Sequence, residues 1–181
     1  AHVRISAVEP PGGPIGVHSA VTLLGSGFAR YGAGLIACRT GGAGGQLVPG
    51  SLLDASRILC TLPSVATPSS VDVTLSLTAG LDGTFSADAP PFVHYAPPHV
   101  RSVTPSEGVA SGGTVVTIFG FGFDGLSGNI GVRNAYIRCR FGETGPHVVA
   151  EWHTVSQVAC VTPWGYRTPS GGGLPVSVSL N

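Results

Sequence analysis

The chain has 181 residues, 43% of them hydrophobic, and its nine basic residues, all arginine, balance nine acidic ones. That length suits two domains of roughly 90–100 residues, each able to bury a core. With no lysine and no basic stripe (only Arg138 and Arg140 lie close together), the charge argues against a nucleic-acid binder and against polybasic membrane attraction.

Strand signals run the length of the chain. Period-two alternation and β-branched enrichment place strands near 3–8, 20–24, 34–39, 46–49, 57–61, 71–77 and 91–95. In 71–77, Val73, Leu75 and Leu77 point one way and Thr74 and Ser76 the other, as in a strand with one face in a core. Two glycines follow the second strand directly, in Gly25-Ser26-Gly27-Phe28. They permit a bulge or a turn with positive φ, after which Phe28 folds back to plug the end of the core. A phosphate cradle would need a helix next, and residues 29–34 are turn-like. Ala96-Pro97-Pro98-His99 is a short linker stiffened by two prolines, which suggests copies placed end to end. Beyond it, strands are expected near 100–103, 114–119, 135–141, 147–152, 156–161 and 175–180. No dozen residues carry a helical stripe free of Gly or Pro. The 28 Gly and 15 Pro therefore read as turn residues between many short strands, since collagen periodicity is absent.

The two halves repeat each other. Val21-Thr22-Leu23-Leu24-Gly25-Ser26-Gly27-Phe28 aligns with Val116-Thr117-Ile118-Phe119-Gly120-Phe121-Gly122-Phe123, an offset of 95. Cys60-Thr61-Leu62-Pro63 aligns with Cys160-Val161-Thr162-Pro163, and Val73-Thr74-Leu75-Ser76-Leu77 with Val176-Ser177-Val178-Ser179-Leu180. The order is kept, so an all-β chain of two tandem immunoglobulin-like sandwiches is expected, with domains at 1–96 and 97–181. The first copy continues to Phe92-Val93-His94-Tyr95, whereas the second reaches Asn181 at the point matching Thr78. The second copy is expected to lack its last strand. With no Met in the sequence, a piece of a longer protein is expected.

The order of motifs resembles the IPT/TIG domain: a Pro, a Gly-rich turn, Val-Thr-(Ile/Leu)-x-Gly-x-Gly-Phe, a paired Cys, Cys-x-x-Pro and an alternating Val/Ser strand. The second copy is the nearer match, with Cys139-Arg140-Phe141-Gly142 where the first has Cys38-Arg39-Thr40-Gly41. The resemblance implies an immunoglobulin-like fold, as in plexins, hepatocyte-growth-factor-type receptors and fibrocystin-like surface proteins. It implies little about function, because such modules serve unrelated proteins.

Repeat symmetry predicts the bridges Cys38–Cys60 and Cys139–Cys160, and with them an oxidising compartment, secreted or at the cell surface. The Arg-over-Lys and Gly/Ala/Pro bias is that of a GC-rich coding genome, and a ciliary surface falls within the expectation. Catalytic, cofactor and metal residues are all expected to be absent. The acidic residues are isolated, no Gly-x-Ser-x-Gly elbow occurs, and His147, Glu151 and His153 lack a further ligand for a metal. No Asn-x-Ser/Thr sequon occurs, while Thr67-Pro68-Ser69-Ser70 and Thr168-Pro169-Ser170 offer hydroxyls for O-linked sugar, though the preferred reading of both is a plain exposed turn. Trp164-Gly165-Tyr166-Arg167 differs most from its counterpart Ser64-Val65-Ala66-Thr67. Trp, Tyr and Arg are the usual interface anchors, so this loop is the candidate protein or glycan contact. The preferred reading is plainer: Trp164 covers the sandwich end or packs at a domain boundary. The expected function is a non-catalytic spacer, adhesion stalk or surface-filament subunit of a larger surface protein. Its partners would be other domains of that protein and proteins at the cell surface. The alternative is an accessory carbohydrate-binding domain of a secreted enzyme.

Overall fold

A computed structural model describes residues 3–28, 35–87, 90–126, 135–165 and 172–181. The chain divides into two compact units, Ala1–Tyr95 and Ala96–Asn181.

The described residues of unit 1 form eight strands: β1 (Arg4–Glu9), β2 (Gly12–Pro14), β3 (Ser19–Ser26), β4 (Ala37–Thr40), β5 (Gln46–Asp54), β6 (Arg57–Leu62), β7 (Ser69–Ser76) and β8 (Pro91–Tyr95). They pair in the order β1-β3-β6-β5-β4-β7-β8-β2. Strand β5 belongs to both layers of the sandwich. Its first half pairs with β4 (Ala37↔Pro49 to Thr40↔Gln46) and its second half with β6 from Gly50↔Cys60 onward. Gly50 sits where the strand changes layer. A Cβ there would lie 2.6 Å from Ile36 Cγ2 and 3.1 Å from Cys38 Sγ. All pairs are antiparallel except β2 with β8, which run parallel and close the second layer.

Alternation produces the core. Strand β6 buries Ile58, Cys60 and Leu62 and exposes the residues between them. Val21, Leu23, Val73, Leu75, Phe28 and Phe92 join these in one cluster. The Gly-x-Gly-Phe segment works as its chemistry suggests. A Cβ on Gly25 would run into the Arg4 carbonyl, so β1 approaches β3 only over glycine, beside an irregularity in register between Ile5 and Ala7. Gly27 then turns the chain at φ 86°, and Phe28 is fully buried beneath.

Unit 2 repeats this plan with β9 (His99–Thr104), β10 (Val115–Phe121), β11 (Arg138–Phe141), β12 (His147–Thr154), β13 (Gln157–Val161) and β14 (Val176–Ser179), in the order β14-β11-β12-β13-β10-β9. Gly120, Gly122 (φ 82°) and buried Phe123 reproduce the glycine-phenylalanine plug. Strand β12 changes layer at Ala150, whose N–H donates to the Ile137 carbonyl as that of Gly50 does to Ile36. The Glu9–Pro10 and Thr104–Pro105 peptides are cis at matching positions.

Two local expectations need correction. Residues 135–136 lie in a helical turn, and the strand expected from 135 begins only at Arg138. Gly12–Pro14 pairs as a strand although no β-branched residue marks it; it runs beside Val93–Tyr95 of β8, held at its ends by the Val93 N–H donating to the Pro11 carbonyl and the Ile15 N–H donating to the Tyr95 carbonyl.

Candidate interaction surface

The cysteines pair within units, Cys38 with Cys60 and Cys139 with Cys160, each at 6.4 Å between Cα atoms, and no free cysteine remains. Each bridge ties β4 to β6, or β11 to β13, across the two layers. It lies beside the position where β5 or β12 changes layer, because Gly50 faces Cys60 and Ala150 faces Cys160 in register. Bridged, buried pairs are the chemistry of an oxidising compartment.

His147 and His153 occupy opposite ends of β12. A strand rise of about 3.3 Å per residue separates them by roughly 20 Å, so they do not meet. His153 Nε2 instead lies 3.8 Å from Glu151 Oε2, with both side chains exposed. Among the described residues no group of three His, Cys, Asp or Glu side chains is arranged to hold a metal ion. No described helix is long and apolar enough to cross a membrane.

Perturbed carboxylates serve turns. Asp54 is held down to about 2 by the Ser56 backbone N–H and then by Arg57, whose Nε donates to it at 2.6 Å. Asp82 is held down to about 2 by the hydroxyls of Thr78 and Thr84 and by the Thr84 N–H. Both are solvent-facing caps of tight turns, which is a structural use. His94 is pushed down by burial; its ring stands edge-on to Phe92 at 4.9 Å, and its Nδ1 has no hydrogen-bond partner among the described residues.

Trp164 does not cover the end of its own sandwich. It is 83% exposed, in the loop after β13, next to Gly165 at φ 69°. Tyr166 and Arg167 lie outside the described residues. A further feature was missed at sequence level. Val115 pairs with Val161, and both line one shallow hollow with Val149 on the outward face of β10, β12 and β13. These valines are 62%, 50% and 65% exposed. Their counterparts in unit 1 are Ala20, Thr61 and Pro49. Writing the two repeats in register from Cys60 and Cys160 would have shown the contrast, but only the fold says that the positions share a face.

The fold and the bridges define the class: a tandem of disulfide-stapled immunoglobulin-like modules of the extracellular kind. Residues 98–181 match the model of the IPT/TIG domain, and the chain is a pair of IPT/TIG-type modules as in plexins. It is 24% identical to plexin-A3 from Homo sapiens over 180 residues, 98% of this chain and 9% of that protein. Against plexin-A3 from Mus musculus the identity is 30% over 127 residues, 68% of this chain and 7% of the relative. The chain thus spans less than a tenth of either curated relative. In fold it is similar to the plexin A4 extracellular region, with a TM-score of 0.60 and 16% identity over 93% of this chain and 13% of that one. A second structure of that region gives a TM-score of 0.55 and 21% identity over 98% of this chain and 17% of that one.

Proposed function

We propose that the chain is a non-catalytic interaction and spacer segment of a larger cell-surface protein, with the first unit as spacer and the second as the contacting unit. The observation that carries this is the contrast between equivalent faces. Unit 2 exposes Val115, Val149 and Val161 together, with Trp164 standing free beyond them, where unit 1 has Ala, Pro and Thr around a single exposed Leu59. A clustered apolar row beside an aromatic anchor is the composition of a protein contact rather than of ordinary solvated surface. The likeness to plexin-A3 and the two bridges support the cell-surface setting.

Hydroxyl-radical footprinting tests the reading. In the intact surface protein, Trp164 and Val149 are expected to oxidise several-fold more slowly than in the isolated chain. Equal rates would reduce unit 2 to a spacer. A second reading, carbohydrate binding, rests on the exposed Trp164 alone, with Tyr166 beside it in sequence, because a free indole face stacks on sugar rings. An oligosaccharide array that binds the chain and loses that binding on Trp164→Ala would favour it.

A further inference from the structure

The outward face of β10, β12 and β13 carries a hollow of about 470 Å³. Ala159, only 8% exposed, is its floor, paired with Thr117 on one side and Glu151 on the other. Val115, Val149 and Val161, each half exposed or more, stand around it, with Glu151 at one edge. Trp164 follows Val161 by three residues, so its Cα lies at most about 10 Å from that valine, at the end of β13. Its indole is 83% exposed.

Unit 1 builds the same place differently. In matching register, Thr22 and Ser51 flank Leu59, which takes up the position of Ala159. Ala20, Pro49 and Thr61 stand for the three valines, and Ser64 stands for Trp164. The hollow left there is smaller, about 390 Å³, and His18, Gln46, Ser51 and Thr61 are among its walls. Alanine in place of leucine lowers the floor of the unit 2 hollow, and the valines make its rim apolar. Socket and projecting ring therefore occur together in one unit and are both missing from the other. A ring and a socket on one unit, about 10 Å apart along the strand direction, are complementary to themselves. A two-fold axis crossing the strands between them carries each ring onto the socket of the other copy, and both insertions form at once. The net charge of zero sets no long-range repulsion against a second copy.

We infer that two copies of this chain pair through unit 2, the Trp164 ring of each seated over Ala159 among Val115, Val149 and Val161 of the other. This names the occupant of the contacting face proposed above and rests on that reading. The valines cover the indole, and Glu151 at the socket edge accepts its N–H. The contact is small and therefore transient, and it gains strength where copies are held close together on one surface.

Sedimentation velocity of the whole chain over rising concentration is the test. A monomer–dimer equilibrium is expected. Trp164→Ala removes the ring, and Ala159→Leu fills the socket with the side chain unit 1 carries there. Each is expected to weaken pairing about ten-fold or more, with the circular dichroism spectrum and thermal midpoint kept. An equal mixture of the two variants restores one insertion of the two, so it is expected to associate more tightly than either variant alone. If Ala159→Leu unfolds, Val149→Asp, at an exposed position, replaces it in both measurements. A chain still monomeric at about 1 mM overturns the inference. So does a dimer indifferent to Trp164→Ala, or a mixture no tighter than its components. Footprinting of the intact surface protein against the dilute chain separates this inference from the reading beneath it. Slow oxidation of Trp164 there beside a monomeric chain keeps the contacting face and overturns the second copy as its occupant. Equal rates there beside a chain that pairs through Trp164 keep the pairing and overturn the contact within the surface protein.

Discussion

At the scale of single residues, three glycines, one histidine and two aspartates set measurable properties. Gly25 and Gly120 allow a neighbouring strand to come within reach of a bare Cα, since a Cβ would meet the carbonyl of Arg4 or His99. Gly25→Ala is expected to destabilise unit 1 by about 2–4 kcal/mol, read by urea unfolding, because backbone cannot yield as a side-chain tip can. Gly27→Ala forces an L-residue to φ 86° and is expected to cost about 1 kcal/mol. His94 gives a pH dependence whose sign follows from its lowered pKa. The unfolded chain holds the proton with a pKa of 6.5 and the folded one gives it up more readily. Unfolding therefore takes up a proton below that value, and stability falls with falling pH through that window. Above it the His94 contribution is constant. Thermal midpoints of unit 1 are expected to decline as the pH drops below 6.5, and His94→Phe is expected to flatten that slope. Asp54 and Asp82 act in a separate window: their stabilisation is present above 3.8 and is lost as the pH falls toward about 2.

At the scale of elements, the strand that changes layer and the bridge beside it form one device. The bridge closes a loop with a sequence separation of 22 in unit 1 and 21 in unit 2. Replacing both Cys38 and Cys60 by Ser is expected to destabilise unit 1 by about 3 kcal/mol, again by urea unfolding, with unit 2 unchanged. Alternating runs such as residues 57–61 and 71–77 were legible because each has one face in a core and one in water. The paired Gly-x-Gly-Phe segments and the cysteine partners were legible because the chain states them twice. Gly12–Pro14 was not, because its strand character comes from β8, which is distant in sequence. The layer change at Gly50 was hidden for a related reason. Pro49-Gly50 reads locally as the end of a strand, yet the fold needs a small residue there to let β5 pass Ile36 and Cys38. Trp164 misled in the opposite direction. Large aromatics are usually covered, and nothing in the residues around it announced that its loop would hold it in solvent.

At the scale of the whole molecule, the repeat is uneven. Inward valines of β14 are half-buried where those of β7 are sealed, so unit 2 holds less apolar surface away from water. Calorimetry of the chain is expected to show two transitions, the lower belonging to unit 2. Both tryptophans, Trp152 and Trp164, lie in that unit, so fluorescence is expected to follow the lower transition alone. One transition seen identically by both probes would contradict this. The bridges have a further consequence, a mechanical one. Under tension applied at the ends of unit 1, the span between Cys38 and Cys60 is short-circuited by a covalent bond. Of its 95 residues, roughly 70 remain free to extend, about 250 Å of slack rather than about 330 Å. Reduction would lengthen each tether by a fixed step, so the oxidised chain acts as a strain-limited link whose maximum reach is set by redox state.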